Sequence, residues 1–279
     1  MSEFAFQQAF VRLLTDTPAR QSFLAGDAQA LAQSGFSPEL ISRLFAIDKE
    51  RFEIYADMVL AQRVNDVAEA LPLTSQVLGD QLSFLVQDFF EHKAADYPKR
   101  HQGPLAFGRV LLERFRVEAP RPLFIQDVIK YEASILGMYD EFVEANDAAQ
   151  EIDNAPNDIS YLDVTPVRRP NVRAISFDHD IVQIIKALKE NQIPAPLPQA
   201  VHLIVELKST GVIQQIKANL PTLDFLTACD GHATLADIVV SLFAKYQQDA
   251  DLFERFKDTC VELCRGLAAH GLIYLRASC

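Results

Sequence analysis

The sequence predicts an α+β protein, with an all-helical domain over residues 1–150, a linker over 151–171 and a mixed domain over 172–279. Three observations predict it. Apolar residues recur at threes and fours, without strand-like alternation, until about residue 150. Residues 147–171 are rich in Asn, Asp and Pro, a linker composition. Beyond them, period-two runs give way to three helical stripes and a short apolar strand. With 279 residues, 49% apolar and 23% charged, the chain has the material for two cores.

In the first domain, Phe6, Phe10, Leu13 and Leu14 share one helical face. Thr17 with Pro18, and Ser37 with Pro38, read as caps followed by a first-turn proline. Asp48 caps a long helix carrying Phe52, Tyr55, Val59, Leu60, Val64, Val67 and Leu71, closed at Pro72. Thr74 is read as the cap of the next helix, with Val77, Leu78, Leu82, Leu85, Phe89 and Phe90 on its stripe. Two more helices span Leu105 to Phe115 and Leu123 to Val143, parted by Pro120 and Pro122.

In the second domain, Val172 to Phe177 alternates, with Val172, Ala174 and Ser176 opposite Arg173, Ile175 and Phe177. A helix with Ile181, Ile184, Ile185 and Leu188 follows. After a proline-rich connector at 194–198 comes a hairpin: Val201, Leu203, Val205 and Leu207 at period two, a turn at Ser209-Thr210-Gly211, and a return over Val212 to Lys217. Helices follow from Leu220 to Cys229, from the Thr234 cap through Leu242, and from Phe253 through Cys260 to Leu267. Leu272 to Leu275 closes as a strand. That order describes a winged helix-turn-helix.

Bulk charge and motif content narrow the chemistry. A net charge of −12 opposes a phosphate backbone, and the basic runs Lys99-Arg100-His101 and Arg168-Arg169 are short. No apolar run reaches the roughly 18 residues that span a bilayer. The opening Met1-Ser2-Glu3 leads straight into an amphipathic pattern, so a reducing cytoplasm is expected. Phosphate-loop, nucleophile-elbow and zinc-protease motifs are absent from the sequence. Of Cys229, Cys260, Cys264 and Cys279, the pair Cys260 and Cys264 lies four apart on one helix face and reads as buried thiols. Asp178-His179-Asp180 reads as a helix cap before it reads as metal ligands. No catalytic and no metal residue is expected in this chain.

The segments Val212 to Ile216, Asp230-Gly231, Thr234 to Val240 and Leu267 to Ile273, in that order, resemble the PqqD-type RiPP recognition element. This is a module that binds the leader of a ribosomally made, post-translationally modified peptide. The resemblance covers residues 200–276. It implies that the leader adds as a strand along Val212, Ile213, Gln214, Gln215, Ile216 and Lys217 and packs against Phe256, Cys260 and Leu263 of the last helix, three residues that read equally as core. Gln214→Pro and Ile216→Pro are the substitutions expected to test that edge.

The first domain, with Leu13-Leu-Thr-Asp-Thr-Pro-Ala-Arg-Gln-Ser-Phe-Leu24, followed by Arg173 to Asp180, resembles the MbnC and TglI type of partner protein. Those proteins serve a multinuclear non-haem iron-dependent oxidative enzyme (MNIO). The resemblance implies a non-catalytic chain that forms a heterodimer with the enzyme, binds the leader and presents the peptide for oxidation, commonly at Cys. Iron is expected in the enzyme only, with neither nucleic acid nor membrane as a partner, and the helical domain is the candidate docking surface. Residues 13–18 also resemble the small subunit of ring-opening dioxygenases, which leaves an accessory subunit of another iron oxygenase as an alternative. A winged-helix transcriptional regulator is a second alternative, although Leu235 to Tyr246 carries only Lys245 as a strong base.

Overall fold

The structure, a computed structural model, describes residues 3–92, 101–118, 122–145, 161–196, 198–246 and 249–277. It divides into two compact units, Met1–Ile125 and Gln126–Cys279.

The first unit is helical among its described residues: α1 (Glu3–Thr15), α2 (Thr17–Ala25), α3 (Ala28–Gln33), α4 (Pro38–Leu44), α5 (Lys49–Ala70), α6 (Pro72–Leu78), α7 (Gln81–His92) and α8 (Gln102–Val117). Ser37 and Asp48 cap α4 and α5 as the sequence predicts. At α2 the cap is Asp16, whose carboxylate accepts from Ala19 N. The Thr17 hydroxyl is turned to Glu91 instead. The single helix expected from Thr74 to Phe90 is two. Gly79, at φ 52, closes α6 in a conformation that side-chain-bearing residues avoid, and α7 starts afresh at Gln81. Leu13, Phe23, Leu31, Leu44 and Phe52 form one core, with Phe23 edge-on to Phe52 at 4.9 Å. Burying each phenyl ring contributes about 2–3 kcal/mol.

The second unit mixes helix and strand: α9 (Ile125–Ala145), β1 (Val164–Arg168), β2 (Val172–His179), α10 (Ile181–Lys189), β3 (Pro198–Leu207), β4 (Ile213–Ala218), α11 (Leu220–Ala228), α12 (Leu235–Lys245), α13 (Phe253–Ala269) and β5 (Ile273–Ala277). The strands form two antiparallel sheets, β2-β3-β4 and β1-β5. Helix α9, read from sequence as the end of the helical domain, packs here on the larger sheet: the Tyr131 ring lies 6.5 Å from that of Phe177. Of the predicted linker, 151–160 lie outside the described residues, and Val164–Arg168 is strand. Pro166 misled the composition argument. It sits in β1 opposite Leu275; Arg169 N donates to Leu272 O, so by alternation the Pro166 nitrogen points away from β5 and its missing N–H breaks no rung of the ribbon.

One face of the larger sheet, through Val172 and Ile204, joins Phe225, Leu235, Val239 and Cys264 of the helices in a single core. The alternate residues Ile175, Phe177, Leu203 and Val205 are buried as well. Strand β3 is central and covered on both faces, so its period-two reading understates its burial. Thr234 and Asp237 complete a reciprocal capping box at α12. Gly231, at φ 85, precedes it where a Cβ would meet Val167 at 3.2 Å.

Candidate functional site

Strand β4 pairs only with β3 among the described residues, which leaves its outer side unpaired. The direction of each backbone group follows from two anchors. Lys208 N donates to Val212 O at 2.9 Å at the hairpin end, and Leu207 N donates to Asn171 O at 2.9 Å on the β2 side. In an antiparallel ladder bonded pairs alternate with unbonded ones. Stepping by two from Lys208/Val212 through the register gives Glu206/Gln214, Ile204/Ile216 and His202/Ala218 as the β3–β4 bonded pairs. The Leu207 anchor independently directs Val205, Leu203 and Val201 toward β2. The peptide groups of Ile213, Gln215 and Lys217 therefore face outward. Gln214 and Ile216, chosen from sequence for proline substitution, donate inward to β3; the alternation was legible but its phase was not.

The opposite edge of the sheet is closed. Along β2 the outward groups are those of Ala174, Ser176 and Asp178. Lys130 Nζ of α9 donates to Ser176 O at 2.5 Å. Asp127 of α9, 4% exposed, accepts from Asp178 N at 3.2 Å, His179 N at 2.9 Å and His179 Nδ1 at 2.8 Å. A lysine and a buried carboxylate thus occupy the positions that an incoming strand would need. Helix α9 also braces the open strand. Gln215 Nε2 donates to Tyr131 OH at 2.6 Å, and Tyr139 OH donates to Gly211 O at 3.2 Å. Burial, outweighing the bond from Gln215, raises the Tyr131 phenol above its ordinary value.

A cleft of about 520 Å³ lies beside β4 on the face that carries α13. Its apolar lining is Ile204, Ile216 and Ala218 from the sheet with Leu267 and Leu272. Gln214, Asn219, Thr222 and His270 supply uncharged or titratable polar groups, and the buried Glu206 is neutralised by Lys208 at 2.7 Å. Of the residues singled out from sequence, Gln214, Ile216 and Lys217 line the cleft, and Lys217 also pairs with Asp180 at 3.5 Å. Val212 lies in the turn, 60% exposed, with its carbonyl taken by Lys208 N. Phe256, Cys260 and Leu263 are not in the lining. Cys260 is in the core, Leu263 packs on it, and Phe256 stands edge-on to Phe243 at 5.5 Å. The wall on this side comes from Leu267, further along α13, and from His270 at its C-cap. The stripe containing Leu267 was visible in the sequence, but which turn approaches β4 depends on how α13 crosses the sheet.

Asp180 caps α10 through Val182 N and Gln183 N, and His179 is held by Asp127. No group of three or more His, Cys, Asp or Glu side chains converges among the described residues. Burial pushes the thiols of Cys260 and Cys264 up to about 11, and that of Cys229 higher still, so all three are neutral core groups at physiological pH. No helix among the described residues is long and apolar enough to cross a membrane. No protein-family profile matches the chain, and no curated protein matches it at a significant level.

Proposed function

We propose that the second unit is a winged-helix peptide-recognition module of the RiPP-recognition type, and that the chain is the non-catalytic partner of an iron-dependent oxidative enzyme that modifies the bound peptide. The observation that carries the reading is the contrast between the two sheet edges. The β2 edge is closed by Lys130 and Asp127, whereas the β4 edge presents Ile213, Gln215 and Lys217 beside an apolar cleft. Natural sheets close edges that have no use. An extended leader on β4 gains main-chain hydrogen bonds along its length, and its alternate side chains enter the cleft toward Leu267 and Leu272. The enzyme, the iron and the oxidation of Cys rest on the sequence resemblance, with the helical unit as the docking surface.

Three cations of α12 and α13 are already paired, which weighs against DNA. Lys245 pairs with Asp224 at 2.5 Å, Arg265 with Glu262 at 2.8 Å, and Lys257 with Glu254. Paired cations release few counterions from a duplex.

The test is co-expression with an MNIO enzyme and its precursor peptide, with the tag on this chain alone, followed by mass measurement of what co-purifies. An iron-bearing heterodimer that retains the leader is the expected result. Gln215→Pro is expected to shed the peptide while keeping the enzyme. A chain that emerges alone and ignores the peptide overturns the reading.

A further inference from the structure

We propose that Arg20 and Arg63 of the first unit form a binding site for one oxyanion or carboxylate group. The site is independent of the peptide edge. Three helices supply it: α2 brings Arg20, α5 brings Arg63, and α7 brings Gln87, Phe90 and Glu91. The guanidinium carbon of Arg63 lies 4.5 Å from the centre of the Phe90 ring. Stacking uses the face of the guanidinium and leaves its fork of N–H donors in the plane. Among the described residues no carboxylate, carbonyl or hydroxyl accepts from that fork.

Among the described residues the local charge does not balance. Arg20 donates to Thr17 Oγ1 at 2.9 Å and lies 3.8 Å from Glu91. Glu91 is already shared, accepting from the Thr17 hydroxyl and from Gln87 Nε2 at 2.7 Å. Asp66, one turn beyond Arg63, takes Gln62 at 2.9 Å, and Asp88 of α7 takes Arg114 at 3.1 Å. Among the described residues Arg20 therefore has one shared carboxylate and Arg63 has none, with the Arg20 side chain only 20% exposed and Arg63 half-buried. A cation withdrawn from water without a counter-charge costs stability. Burial, and then the charge of Arg20, pulls Arg63 below its ordinary value. An anion in the plane of the Arg63 fork, within reach of Arg20, corrects both effects and suits the bidentate geometry that guanidinium prefers.

The full chain is titrated with sodium phosphate, sulfate and acetate at chloride-matched ionic strength, reading the arginine Nε–Hε signals by NMR. Saturable shifts confined to Arg20 and Arg63 are expected. Response to phosphate and sulfate alone assigns a tetrahedral oxyanion; response to acetate as well assigns a carboxylate. Arg63→Met is expected to weaken binding by about tenfold or more, read at Arg20. Glu91→Gln, which removes the competing negative charge, is expected to tighten it, a change of opposite sign that mere loosening of the fold does not produce. Should Arg63→Met fail to fold, Arg63→Lys keeps the charge, loses the fork and is expected to bind more weakly. Shifts that stay linear and match those in chloride, or that are unchanged by Arg63 substitution, overturn the proposal.

Discussion

Gln214 and Gln215 are adjacent, exposed, chemically identical side chains on one strand, and their backbones differ in a single respect: the N–H of Gln214 bonds to β3 and that of Gln215 faces outward. Proline at either position carries the same ring strain. At 214 it also strips the partner from the carbonyl of Glu206, a residue 6% exposed. Leaving such an acceptor unsatisfied costs about 1–3 kcal/mol. At 215 no ladder bond is lost, although the Gln215 bond to Tyr131 goes with the side chain, worth about 1 kcal/mol. Referring each proline to alanine at the same site removes that side-chain difference. The proline-minus-alanine increment is then expected to be larger at 214 than at 215 by about 2 kcal/mol. Because the chain has two compact units, a single unfolding free energy is ill-defined. The appropriate assay is native-state hydrogen exchange of the buried Leu203 and Val205 amides. Equal increments, or a larger one at 215, would refute the assigned ladder phase and with it the identity of the outward-facing groups on β4.

Three further outcomes follow from the same geometry. Asp127→Ala removes the acceptor of Asp178 N, His179 N and His179 Nδ1 together, and is expected to destabilise the second unit by about 3 kcal/mol in hydrogen exchange; with the β2 edge opened, it should also self-associate on size-exclusion chromatography, and a monomer of unchanged stability contradicts the edge-closing role. The thiols of Cys260 and Cys264 rise from 9.0 to about 11, and the Tyr246 phenol rises from 10.0 to about 12 through burial and its bond to Asp224. The folded state holds these protons more tightly, so the stability they contribute is complete below pH 9 and lost as pH rises through 11 to 12, visible in alkaline unfolding curves. Cys229, Cys260 and Cys264 are expected to resist a disulfide reagent at pH 8 in the native chain and to react together on unfolding, mapped by peptide mass.

Local signals carried most of the elements and little of what joins them. The caps at Ser37, Asp48 and Thr234, the helical stripes and the β3–β4 hairpin are set within a few residues of one another, and the structure places each where the sequence predicts it. The split of the Thr74 helix was missed because a lone glycine in a helical pattern is ambiguous until its φ is known, and Gly79 takes 52. Helix α9 has the same amphipathic stripe as its predecessors, so periodicity alone assigned it to the helical domain. Its allegiance is fixed by Asp127, Lys130 and Tyr131, whose partners lie some 46 to 84 positions away. That long-range set also decides which edge of the sheet is available. Read alone, β2, β3 and β4 are three strands with two candidate edges. Only when α9 lays a carboxylate and an ammonium on β2 does β4 become the edge left to accept a strand. The site is thus defined as much by the helix that closes one side as by the residues that line the other.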